Sequence, residues 1–107
     1  MDVNPIQITF TSGSKAEALN IASALIDSHL AACVQVSGPV TSVYRWKGQV
    51  ETDEEWLCFA KTVDAKYQDA QSTILKLHSY DNPEIIAVPI VEGSPEYLKW
   101  LREETTS

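Results

Sequence analysis

Apolar and polar residues alternate through Ile6-Gln7-Ile8-Thr9-Phe10-Thr11, the period of a half-buried strand. The break comes at Ser12-Gly13-Ser14. Ser14 followed by Glu17 has the capping-box spacing, in which each side chain can satisfy the other's backbone N–H. From there Ala18, Leu19, Ala22, Leu25, Ile26 and Leu30 share one helical face, which predicts a helix from about Lys15 to Leu30. Ala32–Val36 predicts a second strand. After Gly38-Pro39 strand character resumes over Val40–Trp46, rich in β-branched and aromatic residues. Lys47-Gly48 predicts a tight turn, and a third strand returns from Gln49 to Lys61, making an unusually long hairpin.

A second helix is expected next, with Asp64 as N-cap and Tyr67, Ala70, Ile74 and Leu77 as its buried stripe. It stops near His78-Ser79, ahead of Asn82-Pro83, because the residue before proline is pushed out of the helical region. Ile85-Ile86-Ala87-Val88 is a continuous apolar run, the pattern of a strand buried on both faces, and Pro89 marks its weakening or an edge. Ser94-Pro95 is a helix-start signal for a short helix carrying Tyr97, Leu98, Trp100 and Leu101. The order is βαββαβ plus a short C-terminal helix, a ferredoxin-like α+β fold with a long hairpin between the second and third strands. With 107 residues, no repeat and no linker, residues 1–107 are expected to form a single domain.

Composition narrows the partners. Eight Lys and Arg stand against 15 Asp and Glu, a formal charge of −7 that repels phosphate backbones and anionic lipid. Nucleic acid and membrane are therefore not expected as partners, and no apolar run approaches the length that spans a bilayer. The densest acidic run, Glu51-Thr52-Asp53-Glu54-Glu55, is expected to be a solvated face. Cys33 and Cys58 lack metal-binding spacing and sit among apolar neighbours, so they are read as small buried hydrophobes. With no secretory signal at the N-terminus, free thiols in a reducing cytoplasm are the expectation.

Catalytic chemistry finds little support. No GxSxG elbow is present, the four glycines are scattered singly, and neither histidine adjoins a nucleophile in a known pattern. His78, at the end of the second predicted helix, opens the polar segment His78-Ser79-Tyr80-Asp81-Asn82-Pro83-Glu84 and is either a helix-capping group or part of a ligand or metal pocket. His29 is expected to face solvent or cap the first helix. Tyr44, Trp46 and Trp56 on the long hairpin need burying, and a subunit interface would bury them.

The same segments carry a resemblance. Leu30-Ala31-Ala32-Cys33-Val34, Thr41–Glu51, Lys61-Thr62, His78-Ser79-Tyr80 with Pro83–Ile90, and Tyr97–Leu101 resemble, in order and spacing, the CutA divalent-cation tolerance proteins. The resemblance implies a ferredoxin-like subunit of a homotrimer whose long hairpins pair across subunits. It also implies a cytoplasmic role in copper or other divalent-cation tolerance, as a metal-response or metal-binding module with no established catalysis and no obligatory cofactor. Trp46, Lys61, His78, Tyr80 and Glu84 are the residues it places around clefts between subunits, with His78 as a metal donor. Two other donor positions of the family do not carry over, since Phe10 stands where a cysteine is usual and Leu77 where a histidine is. The alternative is a trimeric small-molecule sensor of the PII-like kind. Against it stands the tight Lys47-Gly48 turn, where a nucleotide-binding member has a long flexible loop. An acylphosphatase-like enzyme would want an arginine near the first helix, but the only arginines are Arg45 and Arg102.

Overall fold

Strands β1 (Pro5–Ser12), β2 (Cys33–Trp46), β3 (Gln49–Val63) and β4 (Ile85–Pro89) form one antiparallel sheet in the order β2-β3-β1-β4. Helices α1 (Lys15–Asp27), α2 (Tyr67–Leu77) and α3 (Pro95–Glu104) complete the fold, with a 3-10 turn over Asp64–Lys66. This is the expected ferredoxin-like βαββαβ order with an added helix, seen in a computed structural model that describes residues 3–106. The alternation read in the sequence sets the faces. Ile6, Ile8 and Phe10 of β1 share a core with Cys58 and Ala60 of β3, and α1 and α2 cover it with Ala18, Ile21, Leu25, Ala70 and Ile74. α3 packs against β3 and β1, with Leu101 fully buried.

The first helix ends earlier than its apolar pattern implies. Ser28 is the C-cap, and His29 adopts φ 57, the left-handed conformation usually given to glycine. The Leu30 N–H bonds the Leu25 carbonyl (2.9 Å) and the His29 N–H bonds that of Ile26 (3.1 Å), a Schellman closure in which Leu30 folds back onto Leu25. Leu30 therefore belongs to the core but not to the helix. Ile21, absent from the predicted stripe, is fully buried, whereas Leu19 and Ile26 face outward. Asp64 does not cap α2. It opens the 3-10 turn, and its carboxylate accepts from the Asn4 backbone N–H (3.1 Å) and side-chain amide (3.2 Å). The stripe predicted for α2 is observed, with Ala70 and Ile74 buried and Tyr67 and Leu77 packed against the core.

Two features leave apolar surface uncovered. β4 is an edge strand, not a strand buried on both faces: Ile86 is 52% exposed and Val88 48%, because both point to the side of the sheet opposite α1 and α2. Leu57 and Phe59 of β3 lie on that same side and are only partly buried. Beyond Ser12, which pairs with Trp56, β2 and β3 pair only with each other and continue as a two-stranded ribbon to the Lys47-Gly48 turn. Both turn residues have positive φ (51 and 80), the geometry of a type I′ hairpin whose twist matches that of the strands. The ribbon stretches the molecule to 44 Å along its long axis, against 25 and 23 Å across. A bare two-stranded ribbon is marginal in water.

Candidate functional site

Where the ribbon leaves the sheet, Gly38 and Pro39 together face the single residue Trp56, since Ser37 pairs with Leu57 and Val40 with Glu55. This bulge bends β2. A side chain at Gly38 would meet the Trp56 ring at 2.8 Å, so only glycine lets the indole sit this close. The bend also changes the setting of the acidic run. Glu51, Thr52, Asp53 and Glu54 are exposed as expected, but Glu55 is not, with only 8% of its surface open.

Glu55 lies in the wall of an open groove of ≈ 750 Å³ between the ribbon and the 78–84 loop. Thr11 and Ser42 contribute to its lining, with Tyr44, Arg45 and Trp46 from the ribbon and Tyr80, Asp81 and Glu84 from the loop. Water is partly excluded from the Tyr80 phenol and the Glu55 carboxylate stands beside it, which together push its pKa up to about 12. Tyr44 donates to the Asp53 carboxylate, and that bond pushes its pKa up to about 12 as well. Both phenols are neutral hydrogen-bonding groups at physiological pH.

The loop is held by His78. Its side chain is 0% exposed, and the ring spends both nitrogens on the backbone. Nε2–H donates to the Thr11 carbonyl at 2.6 Å, and Nδ1 accepts the Tyr80 N–H at 3.0 Å. This fixes the Nε2–H tautomer and ties the loop to the end of β1. Glu17 assists. Only half of the predicted capping box forms: the Glu17 N–H bonds the Ser14 hydroxyl at 3.1 Å, but the carboxylate does not reach back. Instead it accepts from the Ser12 hydroxyl (2.5 Å) and from the Ser79 N–H (2.8 Å). Gly13 completes the joint, because a Cβ there would lie 2.8 Å from the Tyr80 hydroxyl.

Burial alone would raise the Glu17 pKa, but the hydrogen bonds from Ser12 and Ser79 outweigh it and hold the carboxyl below its usual range. The folded state therefore favours the ionised form. The stability this contributes is fully present above the ordinary glutamate pKa of about 4.3 and is lost as pH falls through the lower folded value. Unfolding free energy measured by urea titration should drop across that window, and Glu17→Gln should flatten the drop while lowering stability at neutral pH.

Of the residues singled out in the sequence, Trp46, Tyr80 and Glu84 line the one groove, and His78 lies directly beneath it, its ring 4.8 Å from that of Tyr80. Lys61 does not join them within the chain. It lies over Phe59 on the side of the sheet away from α1 and α2 and donates to Gln35. In the sequence Glu55 read only as part of a solvated acidic run, Glu17 as half of a capping box and Gly13 as a chain break, none of them as part of this site. The Gly38-Pro39 interruption, one register step from the Val40–Glu55 pair, was the one local signal for the first.

A resident metal ion does not fit the donors that the described residues bring together within one chain. Among the described residues no three His, Cys, Asp or Glu side chains converge. The deep donor named in the sequence, His78, can offer a nitrogen only by giving up a backbone bond. Burial pushes the Cys58 thiol up to about 11, away from the thiolate that binds metal. Cys33 and Cys58 project to opposite sides of the sheet, so neither a disulfide nor a shared site joins them.

The profile of the CutA1 divalent ion tolerance protein matches residues 6–104. A divalent-cation tolerance protein CutA from Thermus thermophilus is 44% identical over 92% of this chain and 95% of its own length. One from Archaeoglobus fulgidus is 36% identical over 90% of this chain and 93% of its own. Protein CutA of mouse is 36% identical, but the match spans only 55% of that longer chain. Among solved structures, the Thermus thermophilus protein superposes with a TM-score of 0.93 at 42% identity, covering 95% of this chain and 99% of that one. Rice CutA1 superposes at 0.94 with 36% identity, covering 98% and 96%. With nearly all of its length matched in sequence and in structure, the chain belongs to the CutA1 divalent ion tolerance family.

Proposed function

We propose that the protein serves divalent-cation tolerance as a homotrimeric, non-catalytic response module whose working surfaces are the grooves beside the ribbons. The observation that carries this reading is the uncovered apolar surface: Ile86 and Val88 on an edge strand, Leu57 and Phe59 beside them, and a two-stranded ribbon whose Val43 and Val50 stand exposed. Burying a residue of this type contributes about 1.5–3 kcal/mol, so mating these surfaces in copies of the chain is strongly favoured. Pairing also removes a free strand edge. The relatives named for divalent-cation tolerance support the biological role. Copper or another divalent ion would act on the assembly from solution, without a resident site inside one chain. Two cysteines that cannot bridge each other suit a reducing cytoplasm.

Nothing favours the sensor alternative. The ribbon closes in the two-residue Lys47-Gly48 turn, and the groove lining carries Glu55, Asp81 and Glu84 against the single cation Arg45, a wall that repels phosphate. The reading is tested by complementation. A bacterial strain lacking its own relative of this protein should regain growth under copper challenge with the wild-type chain, and lose most of that rescue with Val88→Glu. Equal rescue by both would detach function from assembly, and no rescue by wild type would reject the role.

A further inference from the structure

The groove contains a carboxylate for which the chain supplies no cation. Glu55 is 8% exposed, and among the described residues no Lys, Arg or His stands within ion-pair distance of it. Its neighbour Tyr80 is a neutral donor. Carboxylates are rarely buried in proteins without a compensating charge. Asp81 and Glu84 add two more negative groups to the lining, while Arg45 is its sole cation.

The remaining wall is aromatic. Tyr44, Trp46 and Tyr80 all present surface to the groove, and aromatic faces attract ammonium groups. The Trp46 ring already draws one, the Lys47 Nζ at 5.9 Å from its centroid. A bare divalent ion uses several converging hard oxygens and gains little from rings. An alkylammonium uses both kinds of wall, its N–H groups on the carboxylates and its methylenes on the rings. A volume of ≈ 750 Å³ is in the range of sites for small organic ligands.

We propose that this groove binds a small organic cation bearing primary ammonium groups, with Glu55 as the anchoring carboxylate and Trp46 and Tyr80 as apolar walls. The inference takes from the proposed function only that the groove is a working surface. Calorimetric titration of the purified protein with putrescine, against its neutral diol counterpart and against magnesium chloride, provides the test. Saturable binding of putrescine alone is expected, weakened about tenfold or more by Glu55→Gln, the loss of one charge-assisted hydrogen bond. Trp46→Ala, at an exposed ribbon position, should weaken it independently without disturbing the core. Equal binding of the diol, indifference to both variants, or no binding would overturn the proposal. So would binding that appears only in Lys61→Ala, since the cation of the groove would then be the lysine of a second copy. Putrescine binding by a protein that fails the copper complementation would reject the tolerance role alone; rescue without putrescine binding would reject this inference alone.

Discussion

Phe10→Ala is expected to lower the unfolding free energy by about 3–5 kcal/mol, a large share of the 5–15 kcal/mol typical of a domain. Phe10 is fully buried in β1, between Cys58 of β3 and Ile85 of β4, and helices α1 and α2 close over it. No neighbour can easily fill the space, since strands on both sides and helices above are fixed by backbone bonding. Urea denaturation should show a lower midpoint with an unchanged slope, at matched protein concentration because the proposed assembly would add to stability. A loss under about 1 kcal/mol would mean that the core collapses around the cavity. The position bears on metal too. Its side chain is aimed into the core, so Phe10→Cys would not present a donor to the groove.

The second large effect is at His78. Removing the imidazole leaves the Thr11 carbonyl without this partner in a part-buried setting, while the Tyr80 N–H, which is exposed, can turn to water. An unsatisfied buried group costs about 1–3 kcal/mol, so His78→Ala should destabilise by about 1–3 kcal/mol. It should also loosen Tyr80 and Glu84, and with them one wall of the groove. Copper affinity, followed by equilibrium titration, should be unchanged, because neither nitrogen is free to bind an ion. A variant that keeps its stability and loses copper affinity would instead make His78 a donor.

Much of the architecture was legible because its signals are local. The alternation in Ile6–Thr11, the three-and-four spacing of Tyr67, Ala70, Ile74 and Leu77, and the Ser94-Pro95 start each act within a few residues. What was not legible depends on distant partners. Ile86 and Val88 have the composition of a buried strand, and only the strand order shows that they lie at an open edge. Glu55 is the last residue of an acidic run that is otherwise solvated, yet it lies in the groove wall beside Tyr80, 25 residues on in the sequence. Glu17 has the spacing of a capping box, yet Ser79, 62 residues away, takes its carboxylate. Lys61 was placed by resemblance with Trp46, Tyr80 and Glu84 around clefts between subunits, and within one chain it lies on the side of the sheet away from α1 and α2, apart from them.

Whether copies of the chain associate is read by sedimentation equilibrium. At micromolar concentration the mass should be about three times the 11.9 kDa of the chain, unchanged with loading. Val88→Glu, which puts a charge on the open sheet face, should move it toward the single-chain value. A wild-type protein that sediments at 11.9 kDa would contradict the account, for its apolar edge and ribbon would then stand in water unpaired.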